Sequence, residues 1–176
     1  MSASLVKVGH WRIAIIDDES SAAFQIAEWL TWSTPASTVS PVPSVRFVIE
    51  IFRPLGGRNS RALLGGELSK AKDLSVRVAQ SSPIGAGGEA SCRSRLGRDL
   101  VAGLPPEFAE AVLKSLVRCL PVLGSGAVVI DRAGYDDVDS SPSAFEHAAT
   151  LLLGLLHGRA VASNAESVVE DIVSSW

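Results

Sequence analysis

Hydrophobic and polar positions along this chain follow two patterns: short β-branched runs, and longer stretches in which apolar residues recur at helical spacing. A run of four to eight apolar, β-branched residues indicates a buried strand, and alternation of apolar with polar residues indicates a half-exposed one. The sequence therefore predicts strands at residues 12–16, 45–52, 74–78 and 127–130. The segments between them are rich in glycine, proline and serine and predict loops.

Two segments in the last half of the chain predict helices that pack on such a sheet. Pro105, Pro106 and Glu107 are typical of a helix start, because a proline in the first turn loses no hydrogen bond. The next helix begins after Ser141, whose side chain can cap it, with Pro142 at the first helical position. The apolar residues that we expect to face the sheet are Phe108, Val112, Leu116, Phe145, Ala149 and Leu152.

The N-terminal segment predicts one more strand–helix pair. The strand at residues 12–16 is followed by an acidic turn that can cap a helix, and apolar residues then recur at near-helical spacing, at Phe24, Ile26, Ala27 and Leu30. Residues 33–44 are rich in proline and serine and predict a linker. We therefore divide the chain into an N-terminal strand–helix extension with its linker (1–44), a main domain (45–160) and a C-terminal helix or tail (161–176).

Composition limits the possible function classes. With 176 residues, 47% of them hydrophobic and 20% charged, the chain can bury a core of its own. A net charge of −3 and a pI near 5.6 argue against a uniformly basic nucleic-acid binder. A local basic stripe remains an alternative if loops bring the arginines together, although a solvated face is the simpler interpretation. Those arginines are Arg53, Arg58, Arg61, Arg93, Arg95 and Arg98.

Several kinds of site and location have no motif to support them. Cys92 and Cys119 are far apart and lack partners at ligand spacing, so we expect no zinc site and no disulfide. The longest apolar run, residues 148–156, is about half of the roughly 20 residues that a membrane span needs. No signal-peptide pattern is visible at the N-terminus. We expect a cytoplasmic protein without a membrane partner or small-molecule cofactor.

Two motifs in order distinguish the block from residue 104 to about 156. The first is a Pro-x-Glu-aromatic segment that opens a helix, carried by Pro105, Glu107, Phe108, Ala111 and Val112. The second follows a strand and is carried by Tyr135, Asp137, Val138, Asp139, Ser140, Ser141, Ala144 and Phe145. Together they resemble domain IV of the ribosomal translocase, elongation factor G.

This resemblance implies a fold and a function. The fold is α+β, a two-layer sandwich in which a four-stranded sheet carries both helices on one face, with a left-handed βαβ crossover. The function is that of a stand-alone, non-enzymatic translation-factor-like protein that associates with the ribosome or its RNA. The RNA contacts would come from two loops, Gly56, Gly57 and Arg58 in one, and Tyr135, Asp136 and Asp137 in the other. A GTPase is not expected, because the chain lacks the Gly-x4-Gly-Lys-Ser/Thr loop.

One departure from the family favours a second hypothesis, a protein-interaction module that keeps the fold without binding RNA. Asp136 stands where the family has a histidine, and a carboxylate at that tip would be repelled by RNA phosphates. Such a module would bind a protein partner, or a second copy of itself through the tryptophan-rich N-terminal segment.

Two further interpretations rest on carboxylates. Asp17, Asp18 and Glu19 after a strand, with Glu50 inside a later strand, also resemble the acidic site of a receiver domain. The acidic residues at 136–139 could hold a divalent cation, but a solvated loop near a helix N-terminus explains them more simply.

Overall fold

Nine strands form one mostly antiparallel, curled half-barrel sheet in the computed structural model, which describes residues 3–36, 38 and 43–176. The strands are β1 (Ala3–Val8), β2 (Trp11–Ile16), β3 (Glu28–Thr34), β4 (Val45–Pro54), β5 (Asn59–Ser69), β6 (Leu74–Gln80), β7 (Ala90–Cys92), β8 (Leu100–Ala102) and β9 (Gly126–Tyr135). Their order is β1-β2-β4-β5-β9-β6-β3, and the short β8 pairs with both β7 and the end of β9. The β6–β9 pair is parallel.

Three α-helices lie within the described residues: α1 (Pro106–Cys119), α2 (Pro142–Ala160) and α3 (Ala165–Val173). The first two confirm the predicted helices, and the Ser141 side chain accepts the predicted capping hydrogen bond from the Ala144 N–H at 3.2 Å. The six residues expected to face the sheet are all buried in one core, and the Phe108 and Phe145 rings stack with centroids 4.8 Å apart. None of the helices in the described residues is long and apolar enough to cross a membrane.

The prediction of a four-stranded sheet is wrong, because the sheet has nine strands. The predicted α+β class is confirmed. Four neighbouring strands, β4, β5, β9 and β6, form the middle of the sheet, and β2 and β1 extend it on one side while β3 extends it on the other. These additional strands come mainly from the N-terminal segment, so that segment belongs to the same sheet as the rest.

The predicted N-terminal helix is also wrong. A short 3₁₀ turn at Ser20–Ala22 is followed by β3, which pairs with β6 over its whole length. The helical spacing of four apolar residues competes with the strand preference of tryptophan and threonine in Glu28–Thr34, and pairing with β6 decides the outcome. Part of the predicted linker, residues 37 and 39–42, lies outside the described residues. The division of the chain at residues 44 and 160 stays a prediction.

The sheet buries side chains on both faces. The first face packs against the helices, and the second is covered by Ser20–Ala22 and the β7–β8 segment. Side chains alternate between the faces along each strand. Val48 in β4 and Leu63 in β5 therefore point to the second face and join its smaller apolar core. Glu50 lies two residues after Val48, and Arg61 lies two residues before Leu63. Both charged side chains therefore also point to the second face.

Candidate functional site

The two predicted loops lie side by side at one end of the sheet. Gly56, Gly57 and Arg58 form the exposed turn between β4 and β5. The connection from β9 to α2 reaches this turn, because the Asn59 side-chain amide donates to the Asp139 carboxylate at 3.1 Å. Within that connection Tyr135 and Asp136 are buried, whereas Asp137 is exposed.

Asp136 is held in place by an arginine that the motif does not contain. The Arg98 guanidinium donates to both of its carboxylate oxygens, at 2.9 and 3.0 Å. The N–H groups of Val138 and Asp139 donate to Oδ1, at 2.9 and 3.0 Å. Burial acts to raise the pKa of Asp136, but Arg98 and the two N–H groups outweigh it and hold that pKa below its usual value. Asp136 is therefore a paired, buried anion and not the free tip that the sequence suggested.

A second buried ion pair lies next to it. The Arg61 guanidinium contacts the Glu50 carboxylate at 3.0 Å, with side chains 2% and 0% exposed. Glu50 also accepts hydrogen bonds from the Ser94 hydroxyl and the Arg95 N–H, both at 2.7 Å. Arg61 donates in turn to Ser94 and to the Arg98 carbonyl oxygen. This network fixes the loop of residues 93–99 over the second face of the sheet.

The arginine stripe that the sequence left open as an alternative does not form. Arg53 lies over the Trp11 ring, 5.3 Å from its centroid, and Arg61 is buried. The remaining arginines lie among carboxylates; for example, the Arg95 guanidinium contacts the Glu19 carboxylate at 3.5 Å. Around the predicted loops and residues 93–99, five arginines (Arg58, Arg61, Arg93, Arg95 and Arg98) accompany six carboxylates (Glu19, Glu50, Asp99, Asp136, Asp137 and Asp139). This region therefore lacks the excess of positive charge that RNA binding requires.

A cavity of about 290 Å³ opens beside Tyr135. It lies at the carboxyl ends of the parallel strands β6 and β9, which bring Ser81 and Tyr135 together. The other polar side chains that line it include Gln25 and Glu89, and none of its lining residues is a lysine, arginine or histidine. The glycines at 85, 87 and 88 have positive φ angles and shape the loop that carries Glu89.

Tyr135 joins this cavity to the core. Its ring packs against Phe108, with centroids 6.1 Å apart, and the residue is only 2% exposed. Burial raises the pKa of the Tyr135 hydroxyl to about 12, and the nearby carboxylates of Glu89, Asp137 and Glu107 act in the same direction. The hydroxyl is therefore neutral over the physiological pH range and lies in a negative environment.

Titration of Tyr135 should be directly visible, because it is the one tyrosine of the chain. We expect its phenolate absorbance to appear only near pH 12, and not near the ordinary value of about 10. Because the pKa of Tyr135 is higher in the folded protein than in the unfolded chain, the neutral hydroxyl contributes to the free energy of unfolding. This contribution is complete below a pH of about 10 and is lost as the pH rises toward 12. Ultraviolet difference titration of the folded protein measures the midpoint.

The same titration in urea supplies the control, with a midpoint expected near the ordinary value of about 10. Glu89→Gln should lower the pKa of folded Tyr135, although only partly, because burial is the larger cause. A folded-state midpoint equal to the unfolded one would show that the Tyr135 hydroxyl lies in water.

Glu89 was missed by the sequence analysis, which named Glu50 and Arg61 without predicting that they pair. The glycine-rich connection that carries Glu89 predicted only a flexible loop, and its three glycines were the available signal of a special backbone. Glu50 lies inside the apolar run before the turn at Gly56, and Arg61 directly precedes the apolar run after it, at a nearly equal distance from the turn. Opposite charges at similar distances on the two sides of a turn are the signal for a buried ion pair across a hairpin.

The two carboxylate interpretations do not fit the geometry. A receiver domain has a parallel sheet, whereas β2 and β4 pair antiparallel and Glu50 is committed to Arg61. Within the described residues, no group of three or more histidine, cysteine, aspartate or glutamate side chains is arranged to hold a metal ion.

Comparisons with known proteins find no matching family model, no similar curated protein and no similar solved structure.

Proposed function

We propose that this chain is a non-enzymatic protein-interaction module whose partner presents positive charge. The observation that carries this proposal is the charge around Tyr135. The carboxylates of Glu89, Asp137 and Glu107 all act on its hydroxyl, and the neighbouring cavity is lined by no basic residue. A negative surface of this kind attracts a cationic partner and fixes its orientation on docking.

The same charges disfavour RNA at this end of the sheet. Phosphate contacts require lysine or arginine side chains that are free to replace counterions. Arg98 is engaged by Asp136, and Arg61 by Glu50, so neither is free to bind a phosphate. Arg58 and Arg93 are both exposed, but two cations supply little affinity for RNA.

A second candidate function follows from the resemblance to elongation factor G domain IV. The strands β4, β5, β9 and β6 lie side by side beneath α1 and α2, and the two expected RNA-contacting loops are adjacent. On this proposal the crossover from β6 through α1 to β9 is left-handed. The chain is then a cytoplasmic, ribosome-associated protein that contacts RNA through Gly56, Gly57 and Arg58.

One experiment separates the two candidates: sedimentation of the purified protein with small and large ribosomal subunits over a salt series. The protein-interaction module is expected to stay in the supernatant at every salt concentration. Capture on the immobilised chain, from a lysate of the source cells, should then recover a basic protein even after ribonuclease treatment. Asp137→Lys should abolish this capture, because it reverses an exposed charge beside Tyr135.

Asp171→Lys is the matched control, since Asp171 is exposed on α3 and should leave the capture unchanged. Binding to ribosomal subunits that weakens with salt and with Arg58→Ala would favour the second candidate. Recovery of ribosomal components alone, lost after ribonuclease, would overturn the first.

A further inference from the structure

The cavity beside Tyr135 has the size of a site for one side chain. Its volume of about 290 Å³ lies at the lower limit of ligand pockets, which range from about 300 to 1,000 Å³. Phe24 and Pro83 supply apolar wall, while Ser81, Glu89 and Tyr135 supply polar groups. A short alkyl chain with one polar end matches this division, because its stem can pack on apolar surface while its head makes hydrogen bonds.

Charge determines the sign of that polar end. The Glu89 carboxylate lines the cavity, and those of Asp137 and Glu107 lie near enough to act on the Tyr135 hydroxyl. An anionic ligand would meet repulsion from all three. A cation is therefore the favoured occupant.

Hydrogen-bonding capacity distinguishes an ammonium group from a guanidinium group. Oε1 of Glu89 accepts the Gly85 N–H at 2.8 Å, and the other acceptors of the cavity lie on separate side chains, whereas an arginine fork is suited to the two oxygens of one carboxylate. The Ser81 hydroxyl donates to the Ser82 carbonyl oxygen at 3.1 Å, so its lone pairs remain able to accept. Single acceptors on Glu89, Ser81 and Tyr135 suit the three donors of an ammonium group.

We propose that the cavity beside Tyr135 binds a primary ammonium group on a short alkyl chain, supplied by a lysine side chain of the partner protein. The lysine as its source rests on the proposed function, whereas the ammonium site follows from the cavity itself. The lysine would insert its stem along Phe24 and place its ammonium group against the Glu89 carboxylate and the Tyr135 hydroxyl, which lie next to each other.

The test uses the full chain and small probes in place of the partner. Nα-acetyl-lysine amide is titrated into the protein, and binding is followed by amide NMR shifts of residues 81–90 and by the ultraviolet difference signal of Tyr135. We expect saturable binding. Nε-acetylation of the probe, which removes the charge, should weaken it about tenfold or more, since it removes charge-assisted hydrogen bonds. The arginine analogue should also bind more weakly than lysine.

Two variants locate the site on the chain. Glu89→Gln should weaken the lysine probe about tenfold or more, and Tyr135→Phe should weaken it by a smaller factor, because it removes a neutral hydroxyl. Glu170→Gln, an exposed carboxylate on α3, should leave the affinity unchanged. Equal binding of the charged and acetylated probes, or full affinity in Glu89→Gln, would overturn the proposal.

The source of the ammonium group is tested separately. If n-butylamine binds more tightly than the lysine amide, the site takes a free amine and the lysine assignment is wrong. Absence of probe binding, with ribonuclease-resistant capture of a partner retained, would remove the cavity proposal and leave the proposed function standing. If the probe binds but the immobilised chain captures only ribosomal components, the ammonium site is retained. The proposal that a partner protein supplies the ammonium group is then wrong.

Discussion

Replacing Arg61 by methionine is expected to lower the free energy of unfolding by about 3–5 kcal/mol, because it leaves the Glu50 carboxylate buried without its cation. Methionine keeps the unbranched stem of the arginine side chain as far as the position of Nε, so the main loss is the charged end of the guanidinium group. The substitution also removes hydrogen bonds to Ser94 and Arg98, which hold the loop of residues 93–99. Equilibrium unfolding in guanidinium chloride measures the change in free energy. Thermal unfolding without denaturant should show a correspondingly lower midpoint.

Two variants make this prediction specific to the buried charge. The double variant Arg61→Met, Glu50→Leu removes both charges and should recover part of the lost stability, since replacing a whole buried pair by apolar residues costs much less than breaking it. Recovery is partial because the Ser94 hydroxyl and the Arg95 N–H lose their acceptor. Arg58→Met removes an exposed arginine on the turn between β4 and β5 and should leave the free energy of unfolding nearly unchanged. Equal losses for Arg61→Met and Arg58→Met would contradict the argument.

Local chemistry explains why the second half of the fold could be predicted from the sequence. The start of α1 at Pro106 and the capping of α2 by Ser141 depend on residues within a few positions of each other. The apolar face of α1 repeats at helical spacing, so its buried residues follow from the pattern alone. These elements were confirmed because no distant partner had to be known.

The number of strands depends on contacts that local patterns do not reveal. β1 is mostly exposed, and β7 and β8 have three residues each, so none carries a strong periodic signal. β3 is a strand because β6 pairs with it more than forty residues later in the chain. Such pairings are decided by the whole sheet, whereas the prediction of a four-stranded sheet came from the resemblance to elongation factor G domain IV.

The candidate site shows the same limit. The acidic motif predicted a site in the connection at residues 135–139, but it did not predict the burial of Asp136. That burial depends on Arg98, which lies 38 positions earlier in the chain. Likewise, Glu89 reaches Tyr135 only because the loop after β6 returns to the end of β9. Whether the Asp136 carboxylate is free or paired is thus decided by Arg98, which the motif does not include.

Gly66→Ala is expected to destabilise the protein by about 3 kcal/mol or more, because β9 approaches this position too closely for a side chain. The β5–β9 register shifts between Gly65 and Gly66, so that Gly66 pairs with Ile130 while Gly65 pairs with Arg132. A Cβ atom on Gly66 would lie 2.3 Å from the Val129 carbonyl oxygen. This oxygen belongs to the backbone of β9, which is held on both sides by β5 and β6, so it cannot move away without disturbing both ladders.

Gly97→Ala is the matched control, since it adds the same methyl group at a position that has room for it. Its Cβ atom would lie 3.5 Å from the nearest atom, Nη2 of Arg61, at an ordinary van der Waals distance. We expect a change within about 1 kcal/mol, with a small gain possible because alanine restricts the unfolded chain more than glycine does. Guanidinium chloride unfolding of both variants under identical conditions gives the comparison. A Gly66→Ala protein as stable as Gly97→Ala would mean that β5 and β9 separate at low cost, and the bulge would then not fix the register of the central sheet.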